Sequence, residues 1–142
     1  MDLFFILRDA DGSSAISTLV AARDAKKAGH ETAVLVTQGA LSALATGSFE
    51  WPRALSGPPM RLALAAAGKT LGLPISGGGA AKALDPKALV AEVGGEGVTL
   101  LACPVWTALL GIEESLPAGL TPASSETVTK HLATAVQVIG SL

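Results

Sequence analysis

Leu3-Phe4-Phe5-Ile6-Leu7, closed by Arg8-Asp9-Ala10-Asp11-Gly12, and Thr32-Ala33-Val34-Leu35-Val36-Thr37 further along decide the fold. Each is a short apolar run ending in turn or polar residues, the pattern of a strand buried on both faces as in parallel sheets. Between them Ile16, Leu19, Val20, Ala22, Ala25 and Lys27 recur at helical spacing. Ser13 or Ser14 can cap the start of that helix, and Gly29 stops it. Strand, helix and neighbouring strand within so short a stretch predict a right-handed βαβ unit.

Working outward, Gly39 to Gly47 predicts a short alanine-rich helix, residues 48–59 a Pro/Gly/Ser-containing loop carrying Trp51, and Pro58 or Pro59 the start of a helix to Thr70. Leu73–Ser76 reads either as a short edge strand or as part of an irregular loop around Gly77-Gly78-Gly79. Asp85-Pro86-Lys87, an N-cap followed by proline at the first helical position, opens a helix to about Val93. Val98–Cys103 predicts a third strand, Pro104–Leu110 a short helix stopped by Gly111, and Leu116–Pro122 a strand or extended segment. A helix from Ser124 or Ser125 through Ala133 and a strand at Val136–Ile139 complete the chain. Alternating strands and helices give an α/β class, a three-layer α/β/α sandwich with a mostly parallel sheet of about five strands. We expect one domain over residues 1–142, with an insertion at about 48–82.

The 142 residues carry Lys+Arg 10 against Asp+Glu 12, a formal charge of −2, and only 15% charged residues. That balance argues against an electrostatic nucleic-acid binder. The hydrophobic fraction is 49% with 4% aromatic, so the mean hydropathy of +0.50 reflects small side chains, and few charges leave apolar surface for a subunit contact. The longest uncharged apolar stretch, Gly97 to Ile112, falls short of the roughly 20 residues of a membrane helix and is interrupted by Pro104 and Gly111. No stretch combines basic residues, an apolar run and a small-residue cleavage site as a secretory signal does. The expectation is a soluble, cytoplasmic protein with no nucleic-acid or membrane partner.

In open α/β sheets the functional crevice lies beyond the carboxyl ends of the strands. Asp9 and Asp11 follow the first strand, Gln38 and Gly39 the second, and Cys103 ends the third. Cys103 is the single cysteine, which excludes an intrachain disulfide and any zinc site of several thiolates; no metal and no cofactor are expected. A thiol at a strand end facing a helix start is favoured as thiolate by the partial positive charge there, although an unpaired cysteine is equally at home as a small core residue. Trp106, three residues on, can shield the sulfur, receive a partner or pack in the core. Gly77, Gly78 and Gly79 offer backbone N–H groups for an anion, or form a simple turn.

Other patterns are incomplete. Gly68-Lys69-Thr70 lacks the glycine a phosphate loop needs at position 63, Asp9-Ala10-Asp11-Gly12 lacks the distal glutamate of a calcium loop, and the first strand–helix turn lacks G-x-G-x-x-G. His30 precedes the second strand, at the sheet end opposite Cys103, and His131 belongs to the last helix.

Cys103-Pro104-Val105-Trp106-Thr107-Ala108-Leu109-Leu110-Gly111-Ile112 resembles the DsrE/DsrF-like (TusD-like) sulfur-relay family, in which a cysteine ends a strand and Gly-Ile or Gly-Val follows eight residues on. Lys27-Ala28-Gly29-His30-Glu31 and the segment 111–120 support it, and the resemblance covers most of residues 1–45 and 85–142. Many members carry an arginine before the glycine; Leu110 stands there in this chain. The resemblance implies a compact α/β/α domain assembling into homo-oligomers, trimers or hexamers. It also implies that Cys103 carries a persulfide between donor and acceptor proteins, acting as a sulfurtransferase. The alternative is a non-catalytic oligomeric module of the same fold, for ligand binding or assembly, with a buried inert cysteine.

Overall fold

The computed structural model describes residues 1–142. Its main sheet has five strands, all parallel, in the order β6-β5-β2-β1-β7: β1 (Leu3–Leu7), β2 (Thr32–Val36), β5 (Thr99–Ala102), β6 (Thr121–Pro122) and β7 (Gln137–Ile139). A separate two-stranded antiparallel piece joins β3 (Ile75–Ser76) to β4 (Ala83–Leu84). The helices are α1 (Gly12–Lys27), α2 (Gln38–Thr46), α3 (Arg53–Ser56), α4 (Pro58–Thr70), α5 (Pro86–Gly95), α6 (Pro104–Leu110) and α7 (Ser125–Thr134).

Register sorts the side chains into two cores. Phe5 lies beside Val34 and Val34 beside Leu100, whereas Phe4 lies beside Ala33 and Leu35 beside Leu101. Because side chains alternate along a strand, Phe5, Leu7, Val34, Val36, Leu100 and Ala102 share one face. They pack against Leu19 of α1, Leu41 and Leu44 of α2, and Leu89, Val90 and Val93 of α5. Phe4, Ala33, Leu35 and Leu101 form the smaller core on the other face, against Val128 of α7 and Ala135. The phenyl ring of Phe4 meets the imidazole of His131 at 5.5 Å, and no residue of α7 is fully buried. Helices on both faces of a parallel sheet make the three-layer α/β/α sandwich that the sequence predicts. No helix is long and apolar enough to cross a membrane.

Several local expectations change. The cap of α1 is Asp11 rather than Ser13 or Ser14: its carboxylate accepts from the backbone N–H of both serines, and the helix begins at Gly12. One carboxylate placed before the turn reaches two amides at once, which neither serine can do from inside it. The loop at 48–59 contains the single turn α3. Of the two readings of Leu73–Ser76, the strand holds for Ile75–Ser76 alone, which pairs with β4 outside the main sheet. Of Leu116–Pro122 only Thr121–Pro122 pairs, because Gly119 turns the chain with φ +91° immediately before it. The helix from Asp85-Pro86 matches its reading, with Asp85 accepting from the Ala88 N–H.

Candidate functional site

Five parallel strands deliver their carboxyl ends to one edge, and backbone hydrogen bonds stitch the loops that leave it. Cys103 N–H donates to the Val36 carbonyl at 2.9 Å, Thr37 N–H to Leu7 at 3.0 Å and Ala40 N–H to Arg8 at 3.0 Å. The turns after β1, β2 and β5 therefore form one floor. Gly39 sits close over the first turn: a Cβ there would stand 3.2 Å from the Ala10 nitrogen.

Cys103 is the N-cap residue of α6, with φ −59° and ψ 123°, and its side chain makes no capping hydrogen bond. Pro104 occupies the first helical position and the Cys103 carbonyl accepts from Thr107 N–H at 2.9 Å. The thiol is neither fully buried nor fully exposed and packs against the smaller core. Trp106 packs, partly buried, against the larger core, whereas Cys103 packs against the smaller one.

Gln38 is the first residue of α2 and the one non-glycine with positive φ, +50°. Backbone held in that region costs of order 1–3 kcal/mol and persists where the surroundings fix it; here the Ala40–Arg8 and Thr37–Leu7 bonds clamp both sides. Gln38 is exposed and stands beside Cys103, since β2 and β5 are neighbours and Val36 holds the Cys103 amide. Asp9 is exposed, 3.9 Å from the Arg8 guanidinium. Asp11 is spent on its helix. Burial alone pushes its carboxyl upward, but hydrogen bonds from the Ser13 hydroxyl and the Ser14 and Ser13 amides outweigh this and hold it below the usual carboxylate range. It is a structural cap and not a free acid in the crevice.

Beside Cys103 a cavity of about 250 Å³ opens between the ends of β5 and β6, lined by Ala102, Pro104, Thr107, Glu113, Pro122 and Ala123. The Thr107 hydroxyl is buried there without a hydrogen-bond partner. Sequence alone reads Glu113-Glu114 as a solvated turn and gives Thr107 no role; the signal for Thr107 was its one-turn spacing from Cys103. Sequence reasoning also passed over Arg8, an exposed cation directly after β1, two strand spacings (about 10 Å) from the end of β5.

The remaining candidates lie elsewhere. Gly77 and Gly79 have φ of +81° and +57° and belong to the turn leading into β4, remote in sequence from the strand ends that hold Cys103. His30 pairs with Asp2 at 3.8 Å at the amino end of the sheet, and His131 rests on Phe4. Chemically, the strand ends bring together one partly buried cysteine, an exposed amide side chain, and a guanidinium and carboxylates in the neighbouring turns. That is equipment for nucleophilic sulfur chemistry and for holding a polar group beside the thiol.

No family model and no curated protein matches this chain. Among solved structures, the crystal structure of the YchN protein from E. coli superposes with a TM-score of 0.60 at 14% sequence identity, covering 99% of this chain and 99% of that one. The chain has the fold of YchN along its whole described length.

Proposed function

We propose that this chain is a DsrE-like sulfur carrier that relays persulfide sulfur through Cys103. The observation that carries the reading is the position of the one thiol: at the carboxyl end of β5, at a strand–helix junction, partly open to solvent and with no capping duty. The resemblance of residues 103–112 to the sulfur-relay family and the fold shared with YchN support it.

The Cys103 thiol first gives its proton to solvent. Its thiolate attacks the outer sulfur of a donor persulfide; a bond forms between Sγ and that sulfur, the donor S–S bond breaks, and the electron pair leaves on the donor thiolate. An acceptor thiolate then attacks the outer sulfur of the Cys103 persulfide, and Cys103 leaves as thiolate. No external oxidant or reductant is consumed. With no second cysteine to resolve the persulfide internally, donor and acceptor dock in turn at the same crevice.

Val105 and Leu109, 57% and 68% exposed on one side of α6, adjoin that crevice. At the far edge of the sheet, Val136 and Val138 are 78% and 46% exposed, β7 being the outer strand. Apolar surface of this kind supports a homo-oligomer in which the proposed carrier works, and the family resemblance implies a trimer or hexamer.

Treating the native protein with glutathione persulfide and measuring intact mass tests the reading. One added sulfur atom is expected, absent from Cys103→Ser and removed by excess thiol. The packing of Cys103 against the smaller core favours a second reading, an assembly or ligand-binding module with an inert thiol. No added sulfur, with alkylation of Cys103 only after denaturation, establishes that second reading instead.

A further inference from the structure

Residues 48–84 build a cavity of their own, apart from Cys103. It has a volume of about 160 Å³ and is walled by Trp51, Leu55 of α3, Leu64 of α4, and Ala83 and Leu84 of β4. Into this mostly apolar wall α4 inserts Arg61. The guanidinium donates from Nη2 to the Ala80 carbonyl, while its Nε is buried and has no acceptor. No carboxylate of the chain lies within ion-pair distance of Arg61, and no acidic residue lines the cavity.

Arg61 is half-buried and its bond to Ala80 lies at the surface, so the charged end keeps part of its hydration; the Nε–H, buried without an acceptor, has lost its own. Arg61 also lies in the first turn of α4, its amide donating to Gly57. There the helix dipole adds positive potential to the guanidinium charge rather than offsetting it. The site is thus cationic at one wall and, apart from Ser56, apolar elsewhere. A carboxylate is the planar acceptor that a guanidinium fork matches, and it supplies the missing charge.

We propose that this cavity binds a small monocarboxylate with a compact apolar body, its carboxylate on Arg61 and its body between Trp51, Leu64 and Leu84. Size suits the class: an apolar cavity of about 150 Å³ accepts benzene, so this one, at about 160 Å³, holds an aromatic ring or a short branched chain. The site is independent of the sulfur chemistry proposed for Cys103, and each can fail alone.

Benzoate and its neutral isostere benzamide, titrated into the native full chain, test it. The chain has two tryptophans, Trp51 and Trp106, so its indole N–H resonances in a ¹H–¹⁵N spectrum are assigned by comparison with Trp51→Phe. Benzoate is expected to shift the Trp51 resonance while leaving that of Trp106, to bind at least tenfold more tightly than benzamide, and to raise Tm. Arg61→Gln is expected to abolish the preference and Arg61→Lys to keep part of it. Equal binding of the two probes to the native protein, or a Trp51 resonance unmoved by benzoate, overturns the proposal. The native comparison decides by itself if Arg61→Gln fails to fold.

Discussion

Single residues at the carboxyl edge of the sheet carry different loads, and two of them give direct predictions. Asp11 ties down the start of α1, so Asp11→Ala is expected to cost about 1 kcal/mol, read as a lowered urea midpoint. Because its folded carboxyl lies below the ordinary range, its contribution is complete above the unfolded value near pH 4 and is lost as pH falls through the folded value. Asp11→Asn keeps an acceptor but cannot titrate, so melting curves between pH 2 and 7 should show a weaker acid dependence for that variant than for the native protein. At Gly12, a Cβ would sit 2.5 Å from the Trp51 ring. Overpacking of this kind costs about 1–3 kcal/mol, more than the helix-propensity gain of up to about 1 kcal/mol. Gly12→Ala should therefore lower Tm and move the Trp51 indole resonance. The place of Cys103 at a strand–helix junction was readable from the sequence because apolar run, cysteine and proline follow in order. The roles of Trp106 and Arg61 were not, since which core a side chain joins, and whether an acid reaches it, depends on segments far away in the chain.

Among elements, legibility followed the strength of local punctuation. The helix α5 announces itself by Asp85-Pro86, and β1, β2 and β5 by apolar runs whose ends are marked. The β3–β4 pair has two residues in each strand, too few for any alternation to register, and exists because α4 packs against it. The same holds for β6, whose two paired residues are positioned by a turn rather than by their own pattern. That turn depends on close packing between elements: Gly119, at φ +91°, lies where a Cβ would meet the Val90 carbonyl oxygen of α5 at 2.7 Å. Both the backbone conformation and the contact exclude a side chain, so Gly119→Ala should destabilise by more than about 1 kcal/mol. Chemical denaturation measures the loss, and hydrogen exchange should locate it in α5 and the Thr121–Pro122 segment. A loss below that figure, or exchange changes confined to other elements, would contradict this account of the turn.

At the scale of the whole molecule, the two faces of the sheet are unequally covered. Four helices contribute to the larger core, whereas α7 alone spans the smaller, and Leu132, Val136 and Val138 beside it remain 44–78% exposed. Under the proposed assembly, Val136→Lys combined with Val138→Lys should shift light scattering toward the monomer while leaving the circular dichroism spectrum unchanged. An unaltered mass would assign subunit contacts to another surface. The strand order carries one more consequence. In the sheet, β1 pairs with β2, close in the chain, and with β7, whose Gln137 faces Leu3 from the far end of the sequence. During synthesis, at roughly 5–20 residues per second, β2 becomes available on the order of several seconds before β7. Throughout that interval the backbone N–H and C=O groups along one edge of β1 have no native neighbour. The nascent chain is therefore most open to mispairing before its last strand arrives, and the ribosome, rather than the finished sheet, sets how long that exposure lasts.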